Sequence, residues 1–187
     1  MENTSLCFLP AGSLDHIVVL GAGRLAVAVA RFGEEAGIRV SVYGGPRQRD
    51  ARDPDGPAIE DTLAVHGTRV SYVPSLRDCE GGPHQISPEN ALVLSLGSPF
   101  IISRDLIDRF EGRVINSHGA PLPEWRGGGG FSWRILAGDR RGNTCFHLVT
   151  QGIDDGAVVF ERRYEFPDDL RSPQQWMDFA FARDREC

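Results

Sequence analysis

Apolar residues in this chain come in short runs separated by polar, glycine-bearing breaks. His16 to Leu20 (HIVVL) is the first run, and Gly21-Ala22-Gly23 follows it. From Arg24 to Ala36 the apolar positions Leu25, Val29 and Phe32 fall on one face of a helix. Gly37 stops that helix, and Arg39 to Tyr43 (RVSVY) returns to a strand pattern. A strand, a helix and a second strand in this order predict parallel pairing, because parallel strands need a long crossover. Gly44 to Ala58 is rich in Gly, Pro, Asp and Arg and reads as a long polar loop. Ile59 to His66 is a second helix, Arg69 to Val73 a third strand, and Cys79 to Pro88 a polar connection.

Ala91 to Leu96 (ALVLSL) is a continuous apolar run, as in a strand buried on both faces. Ser103 is placed to cap a helix that reaches Phe110. Arg113 to Asn116 is the next strand, and a Pro- and Gly-rich loop over 119–130 ends in Gly127–Gly130. Phe131 to Ala137 reads as a helix closed by Gly138, with Phe131 or Trp133 as its core residue. Asn143 to Val149 and Ala157 to Tyr164 read as strands flanking the loop Thr150 to Gly156. Ser172 to Arg185 is an amphipathic helix through Trp176, Phe179 and Ala180, running to the end of the chain. The alternation predicts one α/β domain over 1–187: a Rossmann-like, mostly parallel open sheet with helices on both faces. Residues 1–15 read as an N-terminal extension. The chain stops inside the helix at 172–187, so a longer natural protein is expected.

A chain of 187 residues is of one-domain length, and 41% hydrophobic with 25% charged residues is ordinary for a soluble globular protein. The net charge of −6 argues against a nucleic-acid backbone as the main partner, which would need clustered Lys and Arg. No apolar run reaches membrane-spanning length. Met1 to Leu14 lacks the basic start and apolar stretch of a secretory signal. Cys7, Cys79, Cys145 and Cys187 are scattered, without zinc spacing, and read as free thiols in a reducing, cytoplasmic compartment.

The chemistry concentrates in two places. Asn116 and His118 lie two apart at the end of an extended segment, so their side chains point to the same side. That side is the carboxyl edge of a buried strand, where ligands bind in open α/β sheets. Gln151-Gly152-Ile153-Asp154-Asp155-Gly156 is a tight acidic loop between two strands. An acid near an imidazole fixes its orientation and favours its charged form. Asn, His and Asp together suit acyl transfer: amide and imidazolium hold a developing oxyanion while the carboxylate or a water relays protons. No metal is implied. His147, on a strand, reads as a packed neighbour rather than a catalyst.

The segment from Ala91 to Val159 resembles the catalytic core of the folate-dependent formyltransferases, which include glycinamide ribonucleotide transformylase, methionyl-tRNA formyltransferase and the sugar N-formyltransferases. The residues carrying the resemblance are Asn116-Ser117-His118, Pro121-Leu122-Pro123, Cys145-Phe146-His147 and Gly152-Ile153-Asp154-Asp155-Gly156. The resemblance implies the formyltransferase fold, 10-formyltetrahydrofolate as co-substrate and an amine as acceptor. It makes Asn116 the oxyanion-binding amide, His118 the catalytic imidazole and Asp154 the carboxylate, with Asp155 at a variable position and in water. It places the pterin against Phe100 and Ile102 and against the backbone of Thr150, Gln151, Gly152 and Ile153. Two departures stand out: Cys145 replaces the usual Thr or Ser, and the four-glycine run is unusual.

Two rival classes remain. Gly21 to Ala26 has the G-x-G-x-x-A form of a dinucleotide fingerprint, with Arg47 and Arg49 as candidates for a 2′-phosphate, which would make the chain an NAD(P)-binding oxidoreductase domain. The other is a catalytically inert formyltransferase-like binding protein. For an enzyme, the expected acceptor is a small amine, with an amino-sugar nucleotide preferred. Neither nucleic acid nor membrane is an expected partner, and a homodimer is left open.

Overall fold

The computed structural model describes residues 13–53, 56–77 and 82–187. The chain divides into two compact units, 1–114 and 115–187. In the first, β1 (His16–Leu20), β2 (Arg39–Gly44), β3 (Val70–Tyr72) and β4 (Ala91–Leu96) lie in the order β3-β2-β1-β4. All three pairings are parallel. Helix α1 (Arg24–Ala36) joins β1 to β2 and α2 (Ile59–Val65) joins β2 to β3, while α3 (Arg104–Arg109) follows β4. This is the Rossmann-like arrangement that the alternation predicts. Central β1 is buried along its whole length. Ser103 caps α3 as expected, its hydroxyl accepting from Leu106 N–H at 3.4 Å.

Helix α1 has the expected ends but a different inner face. Ala26, Ala30 and Gly33 are buried, whereas Phe32 is 52% exposed. The helix packs too close to its neighbour for a large side chain: a Cβ on Gly33 would come 2.4 Å from the Val40 Cγ2. Small residues therefore face the sheet, and the expectation for Phe32 is corrected. Gly21 is needed for a similar reason. It sits at φ +120°, and a Cβ there would lie 2.2 Å from the Leu96 carbonyl oxygen.

The loops after β1, β2 and β4 are joined by one side chain. Gln48 Oε1 accepts from Ala22 N–H at 3.2 Å and from Gly45 N–H at 3.1 Å, and its Nε2 donates to Gly97 O at 3.2 Å. The Ala22 N–H in the glycine fingerprint is thus engaged by a glutamine of the same unit. Arg24 pairs with Asp53 at 3.1 Å.

In the second unit, β5 (Val114–His118, begun by the last residue of the first unit), β6 (Arg141–Leu148) and β7 (Val158–Glu165) form two antiparallel pairs. Helix α4 (Gly130–Leu136) lies between β5 and β6, and α5 (Pro173–Asp184) follows β7. A capping box starts α5: Ser172 Oγ accepts from Gln175 N–H and the Gln175 side chain accepts from Ser172 N–H. This helix ends at Asp184 rather than running to the last residue. Its Trp176 and Ala180 pack with Phe166, against Phe131, Tyr164 and Phe179. Phe166 stacks on Trp176 with centroids 4.2 Å apart. Of the two α4 aromatics, Phe131 packs against this cluster, and Trp133 is exposed.

Candidate active site

Asn116, His118 and Asp154 all belong to the second unit, and the fold brings them together. Strand β5 extends two residues beyond its expected end, so Asn116 and His118 lie in regular strand and share a face. Across the ladder, Asn116 is opposite His147 and His118 is opposite Cys145. Asp154 arrives from the β6–β7 loop with φ 47°. That left-handed conformation is uncommon for a residue with a side chain and is tolerated best by Asn and Asp.

The carboxylate of Asp154 is gripped on both sides. Oδ2 accepts from Gly127 N–H at 2.8 Å and faces His118 Nδ1 at 3.5 Å, while Oδ1 faces His147 Nε2 at 3.4 Å. The rings of His118 and His147 meet edge to face, with centroids 6.2 Å apart. His118 Nε2 lies 2.7 Å from the Trp125 carbonyl. A carbonyl only accepts, so Nε2 carries a proton there, and Nδ1 faces a carboxylate. Both nitrogens meet acceptors. His147 is 2% exposed, and its Nδ1 donates to Leu148 O at 2.9 Å. Nε2 is then the acceptor for the Asn116 Nδ2 amide at 3.1 Å.

Chemically, the cluster offers an amide donor, an imidazole and a carboxylate around one point. His147 is more closely involved than its sequence position suggests, since its Nε2 lies within reach of both Asn116 and Asp154. Only strand register could reveal this, because the partners are 31 residues apart. The Trp125 carbonyl and Gly127 N–H are backbone groups, which side-chain identity does not announce. Cys145, opposite His118, is buried; burial, Glu161 and Asp154 push its thiol up to about 11. Cys187 is free and exposed, and Cys7 and Cys79 lie outside the described residues.

The expected pterin contacts are placed as follows. Thr150, Gln151, Gly152 and Ile153 are all exposed in the second unit. Phe100 and Ile102 are half-buried in the first unit, on either side of Ile101, which is 98% exposed. Asp155 is exposed, but its carboxylate accepts the Thr150 hydroxyl, so it is not simply solvated as expected. Among the described residues, no helix is long and apolar enough to cross a membrane.

The family model described as formyl transferase matches residues 84–172. Over this segment, the chain is similar to the formyltransferase family. A relative of the formyltransferase segment is the methionyl-tRNA formyltransferase of Anaeromyxobacter dehalogenans (strain 2CP-C), 27% identical over 159 residues. That alignment covers 82% of this chain and 50% of the relative, so the chain spans about half the length of the curated relative it matches. The phosphoribosylglycinamide formyltransferase from Bacillus halodurans superposes with a TM-score of 0.70 at 16% identity, covering 92% of this chain and 90% of that one. A sugar 3N-formyl transferase, WlaRD, solved in the presence of dTDP and 5-N-formyl-THF, gives a TM-score of 0.71 at 13% identity over 93% of this chain and 60% of its own. These superpositions establish the α/β formyltransferase fold.

Proposed function

We propose that this protein transfers a formyl group from 10-formyltetrahydrofolate to an amine, with Asn116, His118 and Asp154 as its catalytic residues. The observation that carries the proposal is the convergence of these three side chains, His118 and Asp154 facing each other at 3.5 Å, inside the formyltransferase-family segment. The amine attacks the formyl carbon and makes a tetrahedral oxyanion. The Asn116 amide and the charged His118 ring hold that oxyanion. The His118 Nε2–H rests on the Trp125 carbonyl and turns to the oxyanion when that contact exchanges. Asp154 keeps the ring oriented and receives the proton lost by the amine, directly or through a water. Collapse of the intermediate breaks the bond between the carbon and folate N10, which takes up the proton relayed from Asp154, and yields the N-formyl product and tetrahydrofolate.

For the folate, two contact sets are proposed, each within its own unit. The exposed backbone of Thr150 to Ile153 suits a flat ring with polar edges, apart from Gly152 N–H, which is engaged by Thr150 Oγ1 at 3.2 Å. Phe100 and Ile102 supply apolar surface. Substitution Phe100→Asp is expected to weaken binding of a folate analogue and leave the fold intact. Unchanged affinity would remove that residue from the site.

The acceptor proposed first is the amine of a small molecule, preferably an amino-sugar nucleotide. A second acceptor is the amine of a methionyl-tRNA, which the named sequence relative favours. The chain is incubated with 10-formyltetrahydrofolate and each acceptor, and the mass gain of one formyl group is read. Transfer to the tRNA alone would displace the small-molecule proposal. Release of tetrahydrofolate with neither acceptor present, and no product with either, would overturn amine transfer.

A further inference from the structure

The loop that delivers Asp154 is tied together by a pair of side chains outside the proposed chemistry. Its base is closed by Leu148 N–H donating to Ala157 O at 2.9 Å. Gly156 crosses directly over the Leu148 carbonyl, where a Cβ would come within 1.9 Å of the oxygen. Inside the loop, the Thr150 hydroxyl donates to Asp155 Oδ1 and accepts from Gly152 N–H at 3.2 Å. The Asp155 carboxylate folds over Gly152 so closely that a Cβ there would lie 1.9 Å from Asp155 Oδ2. Asp155, Thr150 and Gly152 thus form a short relay that spans Ile153 and Asp154. Between them, Ile153 turns outward, 72% exposed, and Asp154 turns inward at φ 47°.

We propose that Asp155 is a positioning residue: by accepting the Thr150 hydroxyl, it holds the loop in the conformation that delivers the Asp154 carboxylate to His118 and Gly127. The inference rests on Asp154 being the catalytic carboxylate. A left-handed backbone at a residue with a side chain is retained only where its surroundings enforce it. The Thr150–Asp155 bond is the side-chain tie that brackets this residue, and a carboxylate acceptor makes it stronger than a neutral bond. Without it, Asp154 is free to relax to the right-handed region and swing its carboxylate away. The bond needs an acceptor oxygen at position 155 rather than a charge acting on substrate. Asparagine therefore keeps the latch and alanine does not.

The test compares Asp155→Ala, Asp155→Asn, Thr150→Val and the double variant Asp155→Ala/Thr150→Val. In formyl transfer, Asp155→Ala and Thr150→Val are each expected to lower kcat about tenfold or more, as a misplaced catalytic group does. The double variant should be no worse than either single one, because both remove the same bond. Asp155→Asn should restore most of the rate. A second measurement needs no turnover. The amide proton of Gly127, which donates to Asp154 Oδ2, should shift upfield in Asp155→Ala and stay in place in Asp155→Asn, at an unchanged melting temperature. If Asp155→Ala turns over like the wild type with the Gly127 amide unmoved, or if Asp155→Asn is as damaged as Asp155→Ala, the latch is wrong. If the wild type transfers formyl to no acceptor, the catalytic proposal fails and the Gly127 amide alone decides the latch.

Discussion

His118 Nδ1 and Asp154 Oδ2 face each other across 3.5 Å, and the aspartate reaches that point from a left-handed backbone. The same oxygen accepts the Gly127 N–H at 2.8 Å, so the carboxylate is fixed before any ligand arrives. The carboxylate lies beside a ring whose other nitrogen already donates to Trp125 O, so the ring's orientation is held from both sides. From this arrangement the order of damage among variants follows.

Asn116→Ala removes the proposed donor to the oxyanion, and such losses typically cost about 10²–10³ in turnover. His118→Ala removes the proposed catalytic imidazole and should cost at least as much. Asp154→Asn keeps the shape but deletes the charge, so turnover should fall and its pH dependence should change. Formyl transfer is measured for all three against one acceptor, with circular dichroism to establish folding. Near-wild-type turnover of Asp154→Asn would take this carboxylate out of the mechanism.

Gly21→Ala should destabilise the protein by about 2 kcal/mol or more, since positive φ and a collision with backbone both oppose a side chain. The colliding atom is the Leu96 carbonyl oxygen, which has no rotamer by which to move away. Urea denaturation reads the loss as a lower midpoint. A midpoint equal to that of the wild type would mean that β1 and β4 part more easily than their packing implies.

Asp184 sits where burial raises its carboxyl above the ordinary carboxylate range, although the Thr144 hydroxyl at 2.5 Å opposes the shift. Between the unfolded value and the raised folded value, the folded state binds more protons than the unfolded state. This group's contribution therefore falls as pH rises through that window and is most favourable below it. At neutral pH the buried charge is a net cost. Asp184→Asn keeps an acceptor for Thr144 without the charge, so its melting temperature should exceed that of the wild type at neutral pH. The gap should close on acidification. A variant less stable than the wild type at neutral pH would show the charge to be favourable.

The Cys145 thiol, raised to about 11 by burial and by nearby acids, should resist alkylation at neutral pH. Cys187 is exposed and should react. Peptide mass mapping after iodoacetamide treatment, with and without denaturant, separates the two. Labelling of Cys145 in the folded protein would mean that β6 opens readily at that position.

The order and type of the elements were legible in the sequence because they depend on local pattern. Apolar runs of strand length, a helix between two glycine breaks and Ser103 at a helix start are properties of neighbouring residues. So is the spacing of Asn116 and His118, which puts both on one face of whatever strand carries them. The inner face of α1 was not legible in this way. Its apolar stripe names Leu25, Val29 and Phe32, but the buried positions are Ala26, Ala30 and Gly33, where Val40 leaves no room for a Cβ on Gly33. Register decided that His147 meets Asn116, and the left-handed turn at Asp154 decided that its carboxylate points inward while Asp155 closes on Thr150. Those facts depend on residues far apart in the chain, or on a backbone conformation held by its surroundings. The sequence by itself determined which residues could do the chemistry. Tertiary structure decided which of them meet, because distance between side chains is set by packing and strand pairing, not by position along the chain.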